Sequence, residues 1–173
     1  MKEKIKVWDY AGQILEGIGK GALLTVQAEG KVNTMTIGWG TLGIEWGKLL
    51  CTVYVRESRY TKELLDKNPE FTVNIPWGQC DKNILKICGS RSGRDLDKIQ
   101  ALGLTLEEPE TITVPGIREL PLTLECRVIY RQPQDPGAMN ADILSHYPGT
   151  PEFPQGDFHT AYYGQIEAAY IIK

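Results

Sequence analysis

Leu122-Thr123-Leu124-Glu125-Cys126-Arg127-Val128-Ile129-Tyr130-Arg131 is the stretch on which the fold turns. Leu122, Leu124, Cys126, Val128 and Tyr130 alternate with Thr123, Glu125, Arg127, Ile129 and Arg131. Successive side chains on an extended chain point to opposite faces, so this period of two predicts a long half-buried strand. From Tyr162 to Ile172 every second residue is Tyr, Gly, Ile, Ala, Tyr and Ile, a second long strand of the same kind. Leu49, Cys51, Val53 and Val55 predict a third, and Phe71, Val73 and Ile75, stopped by Pro76, a fourth. Ala22 to Ala28 and Lys31 to Trp39 read as a hairpin turning at Glu29-Gly30.

Helical signals are fewer and shorter. Ser58 to Lys67, Asp81 to Cys88 and Arg94 to Leu102 are the candidates, the last stopped by Gly103. Residues 132–156, with Pro133, Pro136, Pro148, Pro151 and Pro154, predict an irregular excursion with one helical turn near Ala141 to His146. Long strands with few helices favour an antiparallel β-barrel, whose closure removes exposed edges, over a doubly wound parallel sheet. The length of 173 residues suits one domain spanning 1–173.

Composition excludes several function classes. Net charge is −3, without the concentrated positive charge that general nucleic-acid or anionic-membrane binding needs. No apolar run reaches the ~20 residues of a membrane helix, and Met1 to Trp8 has no signal-peptide character, so a cytoplasmic protein is expected. The four cysteines form no C-x-x-C pair, and with only two histidines a metal site is not expected. Cys51 and Cys126 read as buried strand residues.

Gly17-Ile18-Gly19-Lys20-Gly21-Ala22 matches a loose dinucleotide pattern, but that chemistry needs a strand before it and a helix after it. The segment reads instead as a turn into the first barrel strand. No phosphate-cradling Walker sequence and no G-x-S-x-G elbow is present.

Three segments have the parts for a ligand. Arg56-Glu57-Ser58-Arg59-Tyr60-Thr61 follows a strand and opens a helix, where unpaired N–H groups, two arginines and hydroxyls suit a phosphate. Cys88-Gly89-Ser90-Arg91-Ser92-Gly93-Arg94-Asp95-Leu96-Asp97-Lys98 offers serines and cations suited to an anion, or equally a helix-linking turn. Asn33-Thr34-Met35-Thr36-Ile37-Gly38-Trp39 puts polar residues in an apolar strand, beside a glycine that permits close approach.

Taken in order, N-x-M-T-I-G-W, R-x-S-R-Y-T and C-G-S-x-S-G-R-D-x-D-K resemble the flavin reductase-like family, with its flavoredoxin-type branch most similar; the resemblance runs from about Gly21 to Ile172. It implies an FMN-binding split β-barrel, antiparallel and Greek-key-like, with a few short peripheral helices. It implies that the first motif (Asn33, Thr34, Met35, Thr36 and Trp39) lines the flavin ring. The second (Arg56, Ser58, Arg59 and Thr61) would hold the phosphate, and the third (Ser90, Ser92, Arg94 and Lys98) would close over it. NADH-using members carry Gly-Asp-His, whereas this chain has Gly156-Asp157-Phe158-His159, which places a histidine near the flavin and puts its direct nicotinamide contact in question.

The implied activity is electron transfer from NAD(P)H through FMN to an acceptor. The alternative is a flavoredoxin-like carrier fed by a redox protein. The resemblance also implies a homodimer, to which Tyr54, Tyr162, Tyr163 and Tyr170 could contribute surface, although core packing explains them equally well.

Overall fold

The computed structural model describes residues 1–173. A short strand β1 (Lys2–Lys4) leads into α1 (Val7–Lys20), the longest helix and one the sequence reading missed. Gly17 to Lys20, expected in a turn, form its last turn, and Gly21 ends it at φ 122°. Ile14 and Ile18 on α1 are fully buried, each stabilising by about 1.5–3 kcal/mol. Gly17 lies so close to Ile75 that a Cβ there would collide with it.

The predicted strands all form. β2 (Ala22–Ala28) and β3 (Lys31–Ile37) make the expected hairpin, turning at Glu29 and Gly30, both with positive φ. β4 (Gly40–Glu45), not foreseen, pairs with β5 (Lys48–Arg56) across a second such turn at Trp46 and Gly47. α2 (Tyr60–Lys67), β6 (Glu70–Ile75), α3 (Lys82–Ser90) and α4 (Lys98–Leu102) follow. The helix expected from Arg94 is thus confined to its last five residues, because Asp97 caps it by accepting from the Gln100 N–H. Then come β7 (Leu106–Glu107), β8 (Gly116–Ile117), β9 (Leu122–Pro133), a one-turn α5 (Ala141–Leu144) and β10 (His159–Ile172).

The main sheet runs β3-β2-β6-β9-β10-β5-β4, antiparallel throughout, with β1 added to β10. Its end strands, β3 and β4, do not pair, so the barrel is split there. α1 packs against β2 and β6 on one side of this opening and β4 on the other. Cys51, Phe71, Cys126 and Tyr162 lie in the barrel core with Ile14 and Ile18. Tyr162 and Tyr170, considered for an interface, are instead buried, their hydroxyls donating to Asp66 and Glu125.

Glu125 on β9 is wholly buried and fully paired. It accepts from the N–H groups of Glu110 and Thr111 and the Thr111 hydroxyl, each at 2.7 Å, and from Tyr170 at 2.8 Å. Burial pushes this carboxyl up, but the Thr111, Glu110 and Tyr170 donors outweigh it and hold it below its ordinary value. These bonds strap residues 110–111 onto the barrel. No helix is long and apolar enough to cross a membrane.

Candidate functional site

Two cavities meet beside the split and share Met35 and Arg59 as lining residues. The first, ≈ 170 Å³, is a slot between the β3–β4 link and β5, walled by Met35, Thr36, Trp39, Tyr54, Arg56, Arg59 and His159. The second, ≈ 120 Å³, lies where α2 begins. It is lined by the predicted Asn33, Ser58, Arg59, Thr61, Ser92, Arg94 and Lys98, together with Tyr60 and Arg91.

The second cavity is an anion seat in its chemistry. Three arginines and a lysine surround it, and the α2 N-terminus adds unpaired N–H groups. Their availability differs. The Arg59 and Arg91 guanidinium groups make no ion pair or hydrogen bond within the protein. Arg94 is committed to Glu63 and to the Ser58 carbonyl. The Lys98 ammonium is buried and donates to the carbonyls of Cys88 and Arg91, at 3.4 and 3.2 Å, leaving one N–H to offer. Burial lowers its pKa, with Arg59 acting in the same direction and Cys88 opposing.

Asn33 is a brace. Its Nδ2 donates to Thr61 Oγ1 at 2.9 Å, tying β3 to the first turn of α2 while leaving the threonine proton free. Gly93 packs onto this brace, where a Cβ would strike the Asn33 amide and sit 2.9 Å from the Tyr60 ring. Ser58 is also engaged, since its N–H and hydroxyl donate to the Asp157 carboxylate at 3.1 and 2.5 Å. The Asp of the Gly156-Asp157-Phe158-His159 run therefore docks that run onto the phosphate-type motif.

Two predicted residues lie elsewhere. Thr34 points to the other face of β3 from Asn33 and Met35, where its hydroxyl accepts from Thr25 and donates to the Leu24 carbonyl. Ser90 closes α3 by donating to the Lys86 carbonyl and lines neither cavity. Three cavity residues lie outside the expected ligand set: Tyr54, expected only as interface or core surface, Tyr60 and Arg91. Tyr60 and Arg91 stood within the quoted motifs, and Tyr54 was visible as an outward strand residue two before Arg56.

His159 lines the first cavity and is 7% exposed. The Tyr147 hydroxyl is 2.9 Å from its Nδ1, and the Trp39 ring is 5.1 Å from the imidazole. Burial, with the Arg56 charge, depresses its pKa to about 4 against the opposing pull of Asp157. The imidazole is therefore neutral near pH 7. Arg56 lies over the Tyr147 ring at 5.2 Å and donates to the Asp157 carbonyl.

The chain is similar to known proteins in sequence and in fold. The family model of the flavin reductase like domain matches residues 20–173. An uncharacterized protein of Archaeoglobus fulgidus is 36% identical over 106 residues, 61% of this chain and 59% of that protein, so the match spans less than two thirds of the relative. A flavoredoxin from Methanosarcina acetivorans superposes with a TM-score of 0.67 at 28% identity, covering 88% of this chain and 68% of that one. An FMN-binding domain of a flavin reductases-like enzyme from Shewanella baltica gives 0.69 at 15% identity over 99% of this chain and 77% of the other, a likeness of fold.

Proposed function

Because the chain belongs to the flavin reductase like domain family, a class of flavin-linked oxidoreductases, we propose that it holds FMN across the two cavities and relays electrons from NAD(P)H to an acceptor. The observation that carries this reading is their adjacency: the cavity walled by Met35, Trp39 and Tyr54 shares Met35 and Arg59 with the cationic one at the start of α2. Bound FMN supplies the hydride and electron chemistry, while the protein supplies position and field.

Met35, Trp39 and Tyr54 flank the ring. Arg56 sets positive charge beside the slot, where it stabilises an anionic reduced ring. Arg59, Arg91 and the first N–H groups of α2 hold the phosphate, with Thr61 and Lys98 as further donors. The phosphate seat shares Asn33, Tyr60, Gly93, Arg94 and Lys98 with a neighbouring cavity of ≈ 430 Å³.

His159 supports the second reading, a flavoredoxin-like carrier fed by a redox protein. The imidazole is buried, neutral and engaged at Nδ1, with little surface to offer a nicotinamide. A homodimer is proposed on the aromatic cluster of exposed Trp46 and Tyr130 with half-buried Tyr163, whose rings lie 5.1–6.3 Å apart.

The test is a visible spectrum followed by anaerobic NADH or NADPH. A band near ~450 nm that bleaches supports the nicotinamide-linked reading. A band that persists favours the carrier. A colourless protein that takes up no added FMN overturns both.

A further inference from the structure

A larger cavity of ≈ 470 Å³ adjoins the ring slot, sharing Gly38, Trp39 and Tyr54 with it. Its remaining wall comes from Leu15 and Ile18 of α1 and from Ile143, His146 and Tyr147 of the proline-rich excursion. No Asp, Glu, Lys or Arg lines it, whereas the ring slot has Arg56 and Arg59. One polar handle is built in. Gln134 lines the cavity, and its Oε1 is occupied by the His159 N–H at 3.0 Å, which leaves the amide nitrogen as a fixed donor. The His146 ring stands edge-on to Trp39 at 6.3 Å.

We propose that this cavity binds an uncharged planar ring of one or two fused cycles, its oxygen or nitrogen facing the Gln134 amide. An anion here would lose its water with no cation to replace it. A dinucleotide would bring a pyrophosphate, which needs arginines or a nest of N–H groups, and the wall supplies neither. The volume and the mainly apolar lining suit a small neutral ligand. Trp39 and Tyr54 serve both cavities, so the ring is seated next to the slot proposed for the flavin. The inference extends the flavin reading by naming the class of molecule beside that slot, but the binding itself needs no flavin.

The experiment titrates 2-naphthol and its anionic counterpart 2-naphthoate into the protein with and without FMN, read by calorimetry and by ¹⁵N–¹H spectra. Saturable 2-naphthol binding is expected, with shifts at the Trp39 indole and at Leu15 and Ile143, and 2-naphthoate at least tenfold weaker. Leu15 and Ile143 are both exposed, so Leu15→Asp and Ile143→Asp should fold; each should weaken 2-naphthol at least tenfold and leave FMN uptake unchanged. Equal or tighter binding of 2-naphthoate, or 2-naphthol binding indifferent to both variants, overturns the proposal. FMN uptake is recorded on the same samples. Naphthol binding without FMN uptake therefore defeats the flavin reading alone, and FMN uptake without naphthol binding defeats this one alone.

Discussion

The hydroxyl of Tyr147 lies 2.9 Å from Nδ1 of His159, so a residue of the irregular excursion fixes the orientation of the one histidine in the ring slot. In Tyr147→Phe the neutral imidazole loses that partner. Where the hydroxyl donates to Nδ1 it favours the neutral ring, so its loss should raise the titration midpoint from about 4, whereas a fall would put the Nδ1 proton on the histidine. Following the His159 imidazole carbon resonances against pH checks this. An unchanged midpoint would mean that burial and the charges of Arg56, Asp157 and Arg59 set it without Tyr147.

The same histidine makes stability depend on pH. Between about 6.5 and 4 the unfolded chain binds a proton at His159 that the folded chain refuses, so unfolding is favoured as pH falls through that window. From pH 7 to 4.5 this one group should remove about 2–3 kcal/mol. Urea unfolding at the two pH values should show that part of the loss vanish in His159→Asn.

Arg59 and Ser90 should separate cleanly. Arg59 lines both cavities with its guanidinium unengaged, so Arg59→Ala should weaken FMN binding by about 10–100-fold, the worth of one or two charge-assisted hydrogen bonds. Ser90→Ala should leave it unchanged, because that hydroxyl serves α3. Fluorescence titration with FMN measures both, and a matching loss in Ser90→Ala would move the phosphate seat toward the end of α3.

Gly93→Ala should damage the site more than the fold. The new methyl would stand 2.1 Å from Asn33 Oδ1 and 2.9 Å from the Tyr60 ring, so both must move, and both line the phosphate seat. A loss in FMN affinity of tenfold or more is expected, alongside a stability change of about 1–3 kcal/mol from overpacking. Titration and thermal unfolding of the same sample distinguish the two effects.

Glu125→Gln should cost about 2–4 kcal/mol, since a carboxylate with four donors is replaced by an amide that accepts at only one end. Its folded pKa lies below the unfolded value, so in the parent its contribution is present above the ordinary carboxylate range and disappears as pH falls through the folded pKa. Faster amide exchange at Glu110 and Thr111 in the variant would locate the damage.

The strands were legible because alternation survives in Leu122 to Arg131 and Tyr162 to Ile172, where one face is apolar at every second step. Helix α1 was obscured by Gly12, Gly17 and Gly19, which lower helix propensity, yet Val7, Ile14 and Ile18 carry the spacing of a buried face. Packing overrode propensity there, and Gly17 permits the close seat on Ile75. In the site, motif order located the cavities but could not decide individual side chains. Thr34 and Met35 are neighbours in sequence and face opposite sides of one strand. Ser90 and Arg91 are neighbours across a helix end, and only the arginine lines the phosphate seat.

The position of β10 sets an order on folding. It is hydrogen-bonded to β5, to β9 and to β1, so residues 159–172 are the seam through which both halves of the sheet are joined. A ribosome making this chain releases the β2–β3 and β4–β5 hairpins early, but they belong to separate fragments until the seam emerges. Closure by such distant partners is slow, on the order of milliseconds to seconds. During that interval β5 and β9 expose edges that the finished barrel pairs, so the nascent chain carries sticky edges additional to those of β3 and β4, and a chaperone would find them there.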